Sequence, residues 1–390
     1  MNVLVLGGCG IQGKAALFDL SKNEWVTTIV VADLFPDSIR GLPYVDQSKT
    51  RLEKVDVNDL EALVSLMNRG FDVVLDFLPP QFVTSTTEAA IRAGVNLVNT
   101  NYAYQIHSLQ DKVVDKGIVI MPECGLDPGI DLVLYGYGLR EFDELHVLNS
   151  YCGGIPEKTA CTNPLGYKIS WNWDAVVRSQ KRNATLIRDG KLIEILGKDQ
   201  HDNPFIHEID FPGLGRLEAI PNGNAAHFIE LLQLSNTIKE TGRYSLRWPG
   251  WSAFWRPLKK FGCFSESPVE GLPGAVSPRD FFVKWLEPQL QYENMEKDLA
   301  VMQNVFIGTK DGKKKKLTIN VLIERDLTTG LMGMSLGVSY PACIAAEMIA
   351  KGEINKKGIL SPVKDMPVDL FLKRLKRKGI KIEKLTDTQN

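Results

Sequence analysis

The sequence predicts an α/β protein: a doubly wound, mostly parallel sheet, followed by a second α+β domain resting on a mixed sheet. Three observations carry this expectation. Short apolar runs alternate with helical stretches through the first third of the chain. A glycine-rich turn directly follows the first of those runs. Beyond Pro122 the rhythm changes to strand-like segments joined by turn clusters.

Residues 3–6 form a continuous apolar run of the kind buried on both faces of a parallel sheet. After the glycines, Ala15, Ala16, Leu17 and Leu20 share one side of a helix. Residues 28–32 read as the second strand and 52–57 as a shorter third. Asp59 then caps a helix carrying Leu60, Leu63, Val64 and Met67. Residues 72–78 form a fourth strand, stopped by Pro79 and Pro80, which cannot continue a central ladder. A helix over 84–93 leads to a strand at 95–98, and another leads to 117–121. In the second domain, residues 144–151, 184–187, 191–195 and 317–324 read as strands. Near Pro341 the pattern turns helical again, with Ile344, Ala345, Met348 and Ile349 on one stripe.

At 390 residues the chain is too long for one ordinary core, which favours two domains. Hydrophobic residues make up 44% and charged residues 24%, the balance of a water-soluble globular protein. Lys plus Arg number 46 against 47 Asp plus Glu, so no net field favours nucleic acid or a membrane surface. The run Lys313 to Lys316 reads as a solvated hairpin tip, Lys373 to Lys378 as the wet face of a terminal helix, and the residues after Lys384 as a short polar tail. The six cysteines include no CxxC pair and the five histidines are dispersed, so neither a metal centre nor a disulfide framework is expected. Met1 runs straight into a strand, and no apolar stretch approaches the ~20 residues that span a bilayer. A reducing, cytoplasmic setting is the expectation.

Gly8-Cys9-Gly10-Ile11-Gln12-Gly13 follows the first strand and opens the first helix. Gly8 permits the tight turn, Gly10 lets backbone approach a pyrophosphate, and Gly13 allows close helix–strand packing. The helix N-terminus favours the phosphate charge. Asp33 ends the second strand about 20 residues beyond Gly13, where a carboxylate accepts from both adenine-ribose hydroxyls and repels a 2′-phosphate. NAD is therefore expected over NADP, bound by a Rossmann domain. Ile11 and Gln12 complete the loop, Asp56 is a further candidate near the adenine, and Leu78 and Pro79 follow the fourth strand on the cofactor side.

Beyond this loop stand three longer motifs: Cys124-Gly125-Leu126-Asp127-Pro128-Gly129-Ile130-Asp131, Ser150-Tyr151-Cys152-Gly153-Gly154, and Asn163-Pro164-Leu165-Gly166-Tyr167-Lys168. With Gly337-Val338-Ser339-Tyr340-Pro341-Ala342 and Gly358-Ile359-Leu360-Ser361-Pro362, they resemble the saccharopine dehydrogenase family, on the branch shared by glutamate-forming saccharopine reductases and lysine 6-dehydrogenases. The resemblance runs from Met1 to about Pro362. It implies a Rossmann domain over 1–124, a substrate-binding and dimerising domain over 125–330, and a segment over 331–384 returning to the first. It implies a substrate cleft between the domains, a homodimer, and an amino-acid substrate of lysine metabolism.

The implied reaction is reversible oxidation of a secondary amine at the lysine ε-carbon, giving aminoadipate semialdehyde and glutamate. Tyr102, Asp127 and Cys152 are the catalytic candidates that the resemblance implies: Tyr102 to hydrogen-bond substrate or relay a proton, Asp127 to steady an ammonium or iminium charge and act as acid or base, Cys152 to tune the imine or bind water. Lys168, Asn222, Arg243 and Arg247 are the substrate-binding candidates, since arginine's planar fork suits carboxylates. One departure stands out: the family shows Pro-Asn-Arg-Asp-Ser where this chain has Pro221-Asn222-Gly223-Asn224-Ala225. Gly223 therefore replaces an expected carboxylate-binding arginine. This raises lysine 6-dehydrogenase activity as an alternative. A non-catalytic NAD-binding regulatory protein is an alternative of another class.

Overall fold

In the computed structural model, which describes residues 1–389, the N-terminal apolar runs become strands β1 (Asn2–Leu6), β2 (Thr28–Asp33), β3 (Thr50–Lys54), β4 (Val73–Asp76), β5 (Asn96–Asn99) and β6 (Val119–Met121). With Gly358–Ile359 they form a seven-stranded sheet in the order Gly358–Ile359, β6, β5, β4, β1, β2, β3. Every pairing in it is parallel. Val3 to Leu6 are completely buried, which is why β1 reads as an unbroken apolar run rather than an alternation. On one face Leu4, Leu6, Val74, Leu97 and Ile120 pack with Leu63, Leu66, Ala89, Ala90 and Val113 from the flanking helices. Each fully buried Leu or Val contributes ~1.5–3 kcal/mol relative to exposure. The strand order reverses between β1 and β4, so a ligand crevice opens beyond their carboxyl ends.

Two compact units emerge: Met1–Tyr137 with Ser335–Ile380, and Gly138–Met334 with the residues from Lys381 onward. The sequence reading begins the second domain at Gly125 instead. The difference lies in helix Ile130–Leu139: a Cβ on its Gly136 would stand 2.5 Å from the Val363 carbonyl oxygen, a backbone approach that ties this helix to the first unit. Helix Gly333–Ala350 belongs mainly to the first unit, where Ser339 Oγ donates to the Gln12 carbonyl at 2.6 Å. This helix of 18 residues is long and apolar enough to cross a membrane by length and composition, contrary to the sequence reading. Yet 78% of it is buried inside the protein, as in a core helix.

In the second unit the strands are β7 (Glu144–Pro156), β8 (Ala184–Arg188), β9 (Lys191–Ile195), β10 (His207–Phe211), β11 (Gly215–Pro221), β12 (Gly223–Asn224), β13 (Glu240–Arg247), β14 (Asp298–Lys310) and β15 (Lys313–Glu324). Together with Lys381–Gln389 they make a ten-stranded mixed sheet whose main path is β10, β11, β13, β7, β14, β15, Lys381–Gln389. β13 runs parallel to β7, whereas β14 is antiparallel to both β7 and β15. Two expectations are corrected here. Lys313 to Lys316 lie within β15, and the turn is Asp311-Gly312, with both residues at positive φ. Residues 385–389 belong to an antiparallel strand on β15, not a tail, while Asn390 lies outside the described residues. An outer strand exposes polar side chains to water, so its sequence shows little apolar alternation.

Candidate functional site

The glycine loop fits a dinucleotide on steric grounds. A Cβ at Gly13 would lie 2.4 Å from both the Gly7 carbonyl oxygen and Gly8 Cα, and one at Gly8 would meet Val31 at 2.6 Å. Only glycine lets helix Ile11–Lys22 start this close to the turn, with Gly10 at its N-cap. Ile11 is half exposed at the loop's tip. The Asp33 carboxylate accepts from Cys9 N–H at 3.1 Å and Phe35 N–H at 3.2 Å, which fixes it beside the loop at the end of β2. Leu78 and Pro79 follow β4 on the other side of the strand-order reversal, and a Cβ on Gly7 would touch Leu78 at 3.3 Å. Asp56 departs from this group. β3 ends at Lys54, and Asp56 is an exposed turn residue accepting from Asn58 N–H and Nδ2 at 2.9 and 2.8 Å, bonds that lower its pKa.

Asp76 underlies the same crevice. It is buried, accepts from Thr86 Oγ1 at 2.7 Å and from Leu78 N–H at 2.9 Å, and so sets the start of the Leu78-Pro79 segment. Burial outweighs these bonds and pushes its pKa up to about 6, from 3.8. The folded state then holds the proton more tightly than the unfolded chain does. Stability from this group is therefore fully present below pH 3.8 and is lost as pH rises through about 6, an effect of ~3 kcal/mol. Asp76→Asn is expected to reduce that slope in urea-unfolding midpoints measured across the interval. An unchanged slope would assign it to other buried acids such as Asp298, also raised by burial to about 6.

The segment carrying Tyr102 adjoins this crevice, because Asn101 Nδ2 donates to the Leu78 carbonyl at 3.2 Å. Tyr102 is half-buried and stacks on Tyr104 with centroids 6.1 Å apart. Asp127 lies in the turn before helix Ile130–Leu139, which Gly125 and Gly129 fold tightly: a Cβ on Gly129 would lie 1.9 Å from the Gly125 carbonyl oxygen.

In the second unit the central strands gather a different set. Cys152 on β7 stands opposite Ser245 of β13, and Arg247 follows two residues later on the same face. The two glycines after Cys152 are packing requirements. A Cβ on Gly153 would lie 2.2 Å from the Leu246 carbonyl oxygen, and one on Gly154 would meet Met334 at 2.6 Å. Arg247 is 7% exposed, donates through Nη1 to the Leu246 carbonyl at 2.7 Å, and lies over the rings of Trp251 and Tyr167 at 4.9 and 5.5 Å. Its Nε has no hydrogen-bond partner, and it has no carboxylate partner among the described residues. Burial lowers its pKa, an effect that Tyr167, Cys152 and Tyr292 partly offset. A guanidinium stays charged nevertheless. Burial also pushes the Tyr167 phenol up to about 12, despite the nearby Arg247 charge.

Asn163 organises the third motif. Its side chain accepts from Leu165 N–H at 3.1 Å and donates to the Tyr167 carbonyl at 2.8 Å, thereby setting Tyr167 beneath Arg247 and Lys168 beyond it. Lys168 is not an open cation. Its buried ammonium contacts both Glu296 carboxylate oxygens at 2.6 Å. Burial pushes the Glu296 carboxyl up, but Lys168 and the Glu293 N–H outweigh it and hold the pKa low. Asn222 donates its N–H to the Arg243 carbonyl at 2.8 Å, and its side chain accepts from exposed Arg182 at 3.3 Å. Arg243 itself is buried over the Phe228 ring at 4.6 Å. Gly223 has φ +68° and nothing within 4 Å of a Cβ position.

Glu296, Tyr167 and Trp251 escaped the sequence reading as members of this set. Glu296 is 128 residues from Lys168, and no spacing connects them. Trp251 follows Arg247 by four residues, but only the turn out of β13 brings its ring back over the guanidinium. No group of three or more His, Cys, Asp or Glu side chains suited to a metal occurs among the described residues.

Comparison with known proteins agrees with this architecture. Residues 3–121 match the family description "Saccharopine dehydrogenase NADP binding domain", and residues 125–380 match "Saccharopine dehydrogenase C-terminal domain". The saccharopine dehydrogenase [NADP(+), L-glutamate-forming] of Schizosaccharomyces pombe is 26% identical, over 98% of each chain. Its namesake in Saccharomyces cerevisiae is also 26% identical, over 99% of each. The apo structure of the L-Glu-forming saccharopine dehydrogenase from S. cerevisiae superposes with a TM-score of 0.86 at 24% identity, covering 99% of both chains, and shows the same fold. The NADP(+) in these relatives' names runs against the NAD expected from Asp33. With both of its domains matched along nearly its whole length, the chain belongs to the saccharopine dehydrogenase family.

Proposed function

We propose that this protein is a glutamate-forming saccharopine dehydrogenase, oxidising the secondary amine at the lysine ε-carbon to give aminoadipate semialdehyde and glutamate. One observation carries the reading. Arg247 is a buried cation with no carboxylate partner among the described residues, held over two aromatic rings beside Cys152. Burying a charge in this way costs several kcal/mol unless a partner arrives, and a substrate carboxylate is such a partner. Family membership supplies the reaction class.

The glycine loop, Asp33, Leu78 and Pro79 would hold the dinucleotide, which supplies a hydride acceptor when bound. Tyr102, on the segment tied to Leu78, handles a proton or hydrogen-bonds the amine. Asp127 steadies the positive charge on nitrogen and serves as acid or base. Within the second unit Cys152 lies on the same sheet face as Arg247, and the Lys168–Glu296 pair holds the Asn163–Lys168 motif in place. Turnover of saccharopine by the purified protein tests the proposal, since lysine oxidised in its place would defeat it.

For the nucleotide we infer NAD(H), on this chain's own residues. Asp33 presents a carboxylate where a 2′-phosphate would bring like charge, and Arg40 is engaged by Asp37. Asp33→Ala is expected to narrow the NAD over NADP ratio in kcat/KM by about tenfold or more. A ratio that stays the same, or that favours NADP in the wild type, would overturn this assignment. Gly223 favours a second reading, oxidation of free lysine with release of ammonia. The position offers no cation and open space, so a glutamate moiety would need exposed Arg182 at its far end.

A further inference from the structure

Two buried carboxylates flank the segments that carry Tyr102 and Asp127. Glu123 follows β6 at φ +60°, a conformation uncommon for a residue with a side chain. It grips the Tyr102 segment at both ends. Its N–H donates to the Asn101 carbonyl at 2.9 Å, and its Oε1 accepts from the Ala103 N–H at 3.3 Å. The residue between those two contacts is Tyr102. Next along the chain, the Cys124 N–H donates to the Asn99 carbonyl at 2.9 Å, continuing the same seam.

Asp131 does the corresponding work on the other segment. It is completely buried, and its Oδ1 accepts from the Gly129 N–H at 2.8 Å. The turn it closes is also bound by Gly125 N–H to the Pro128 carbonyl and Ile130 N–H to the Gly125 carbonyl, both 2.9 Å. Asp127 is carried at the middle of that turn. Glu123 and Asp131 are electrostatic neighbours. Burial, with the Glu123 charge adding to it, pushes the Asp131 carboxyl up to about 7.

We propose that Glu123 and Asp131 are positioning residues, each using a buried carboxylate oxygen to fix the backbone beside one candidate catalytic group, Tyr102 and Asp127 respectively. The inference rests on the functional reading above for the roles of Tyr102 and Asp127, but the backbone clamp itself does not. An acceptor oxygen is what each clamp requires, so glutamine and asparagine should substitute where alanine cannot. A small displacement of a reacting group is enough to cost ~100-fold in rate.

The test combines hydrogen–deuterium exchange with kinetics on the full chain. Glu123→Ala should raise exchange at Ala103, and Asp131→Ala at Gly129, by about tenfold or more, as for an amide that loses its acceptor. Each should lower kcat with dinucleotide affinity unchanged, while Glu123→Gln and Asp131→Asn restore most of the lost rate. In a Tyr102→Phe background, Glu123→Ala should add no more than about a twofold further loss, because the two changes disable one element. Unchanged exchange at Ala103 and Gly129 would overturn the proposal. So would losses that multiply in the double variant, or glutamine and asparagine variants as impaired as the alanine ones. Should the wild type turn over no amine, the functional reading fails while exchange still decides the clamp.

Discussion

Valine at position 13 is expected to abolish nicotinamide-dinucleotide binding while leaving the second unit folded. Even one added carbon would stand 2.4 Å from the Gly7 carbonyl oxygen and from Gly8 Cα, both backbone atoms that cannot swing aside. The helix must then move away from the turn, and the amides that face a pyrophosphate separate. Overpacking of this kind costs ~1–3 kcal/mol in strain alone, the equivalent of roughly 5- to 150-fold in affinity. The lost phosphate contacts add to that. Titration of the intrinsic fluorescence with reduced nucleotide measures it. Retained affinity would mean that the loop does not hold the cofactor.

Arg247→Leu is expected to raise the KM for saccharopine and lower kcat/KM by about 30- to 5,000-fold, the equivalent of ~2–5 kcal/mol for losing one partner of a buried charge pair. Dinucleotide affinity should not change. The ligand-free variant should be as stable as the wild type or more so, because a buried cation with no carboxylate partner among the described residues is removed and an apolar side chain takes its place between Tyr167 and Trp251. That combination separates a binding role from a structural one. A variant with lowered thermal stability and an unchanged KM would make Arg247 a packing residue. Lysine should not rescue it, since a point charge cannot reproduce the planar fork stacked over two rings.

These two positions differ in how far the sequence alone could reach them. Gly13 obeys a local rule: strand, tight turn and helix follow one another within a dozen residues, and each glycine has its own steric reason. The place of Asp33 at the end of β2 was legible for the same cause, as was β1, whose unbroken apolar run reflects burial on both sides. Arg247 was legible only through a resemblance, because its surroundings come from three separate segments: β13, the loop holding Tyr167, and the helix Trp251–Lys260. Lys168 shows the limit most clearly. The motif around it was visible, yet its pairing with Glu296 was not, so a filled ion pair read as an open cation. The outer strand Lys381–Gln389 was hidden because an edge needs few apolar residues to pair through its backbone. The compact units divide after Tyr137 and not at Gly125 because helix Ile130–Leu139 packs on the first unit through Gly136, a contact with Val363 far along the chain.

Product identification during turnover tests the central claim most directly. Purified protein is supplied with saccharopine and NAD, and reduced nucleotide, glutamate and ammonia are measured together. One glutamate for each reduced nucleotide, with no ammonia and no reaction on free lysine, is the expected result. Ammonia formed from lysine, with saccharopine left intact, would contradict it and transfer the reaction to free lysine, which has no second carboxylate-bearing half to be met by a cation at position 223.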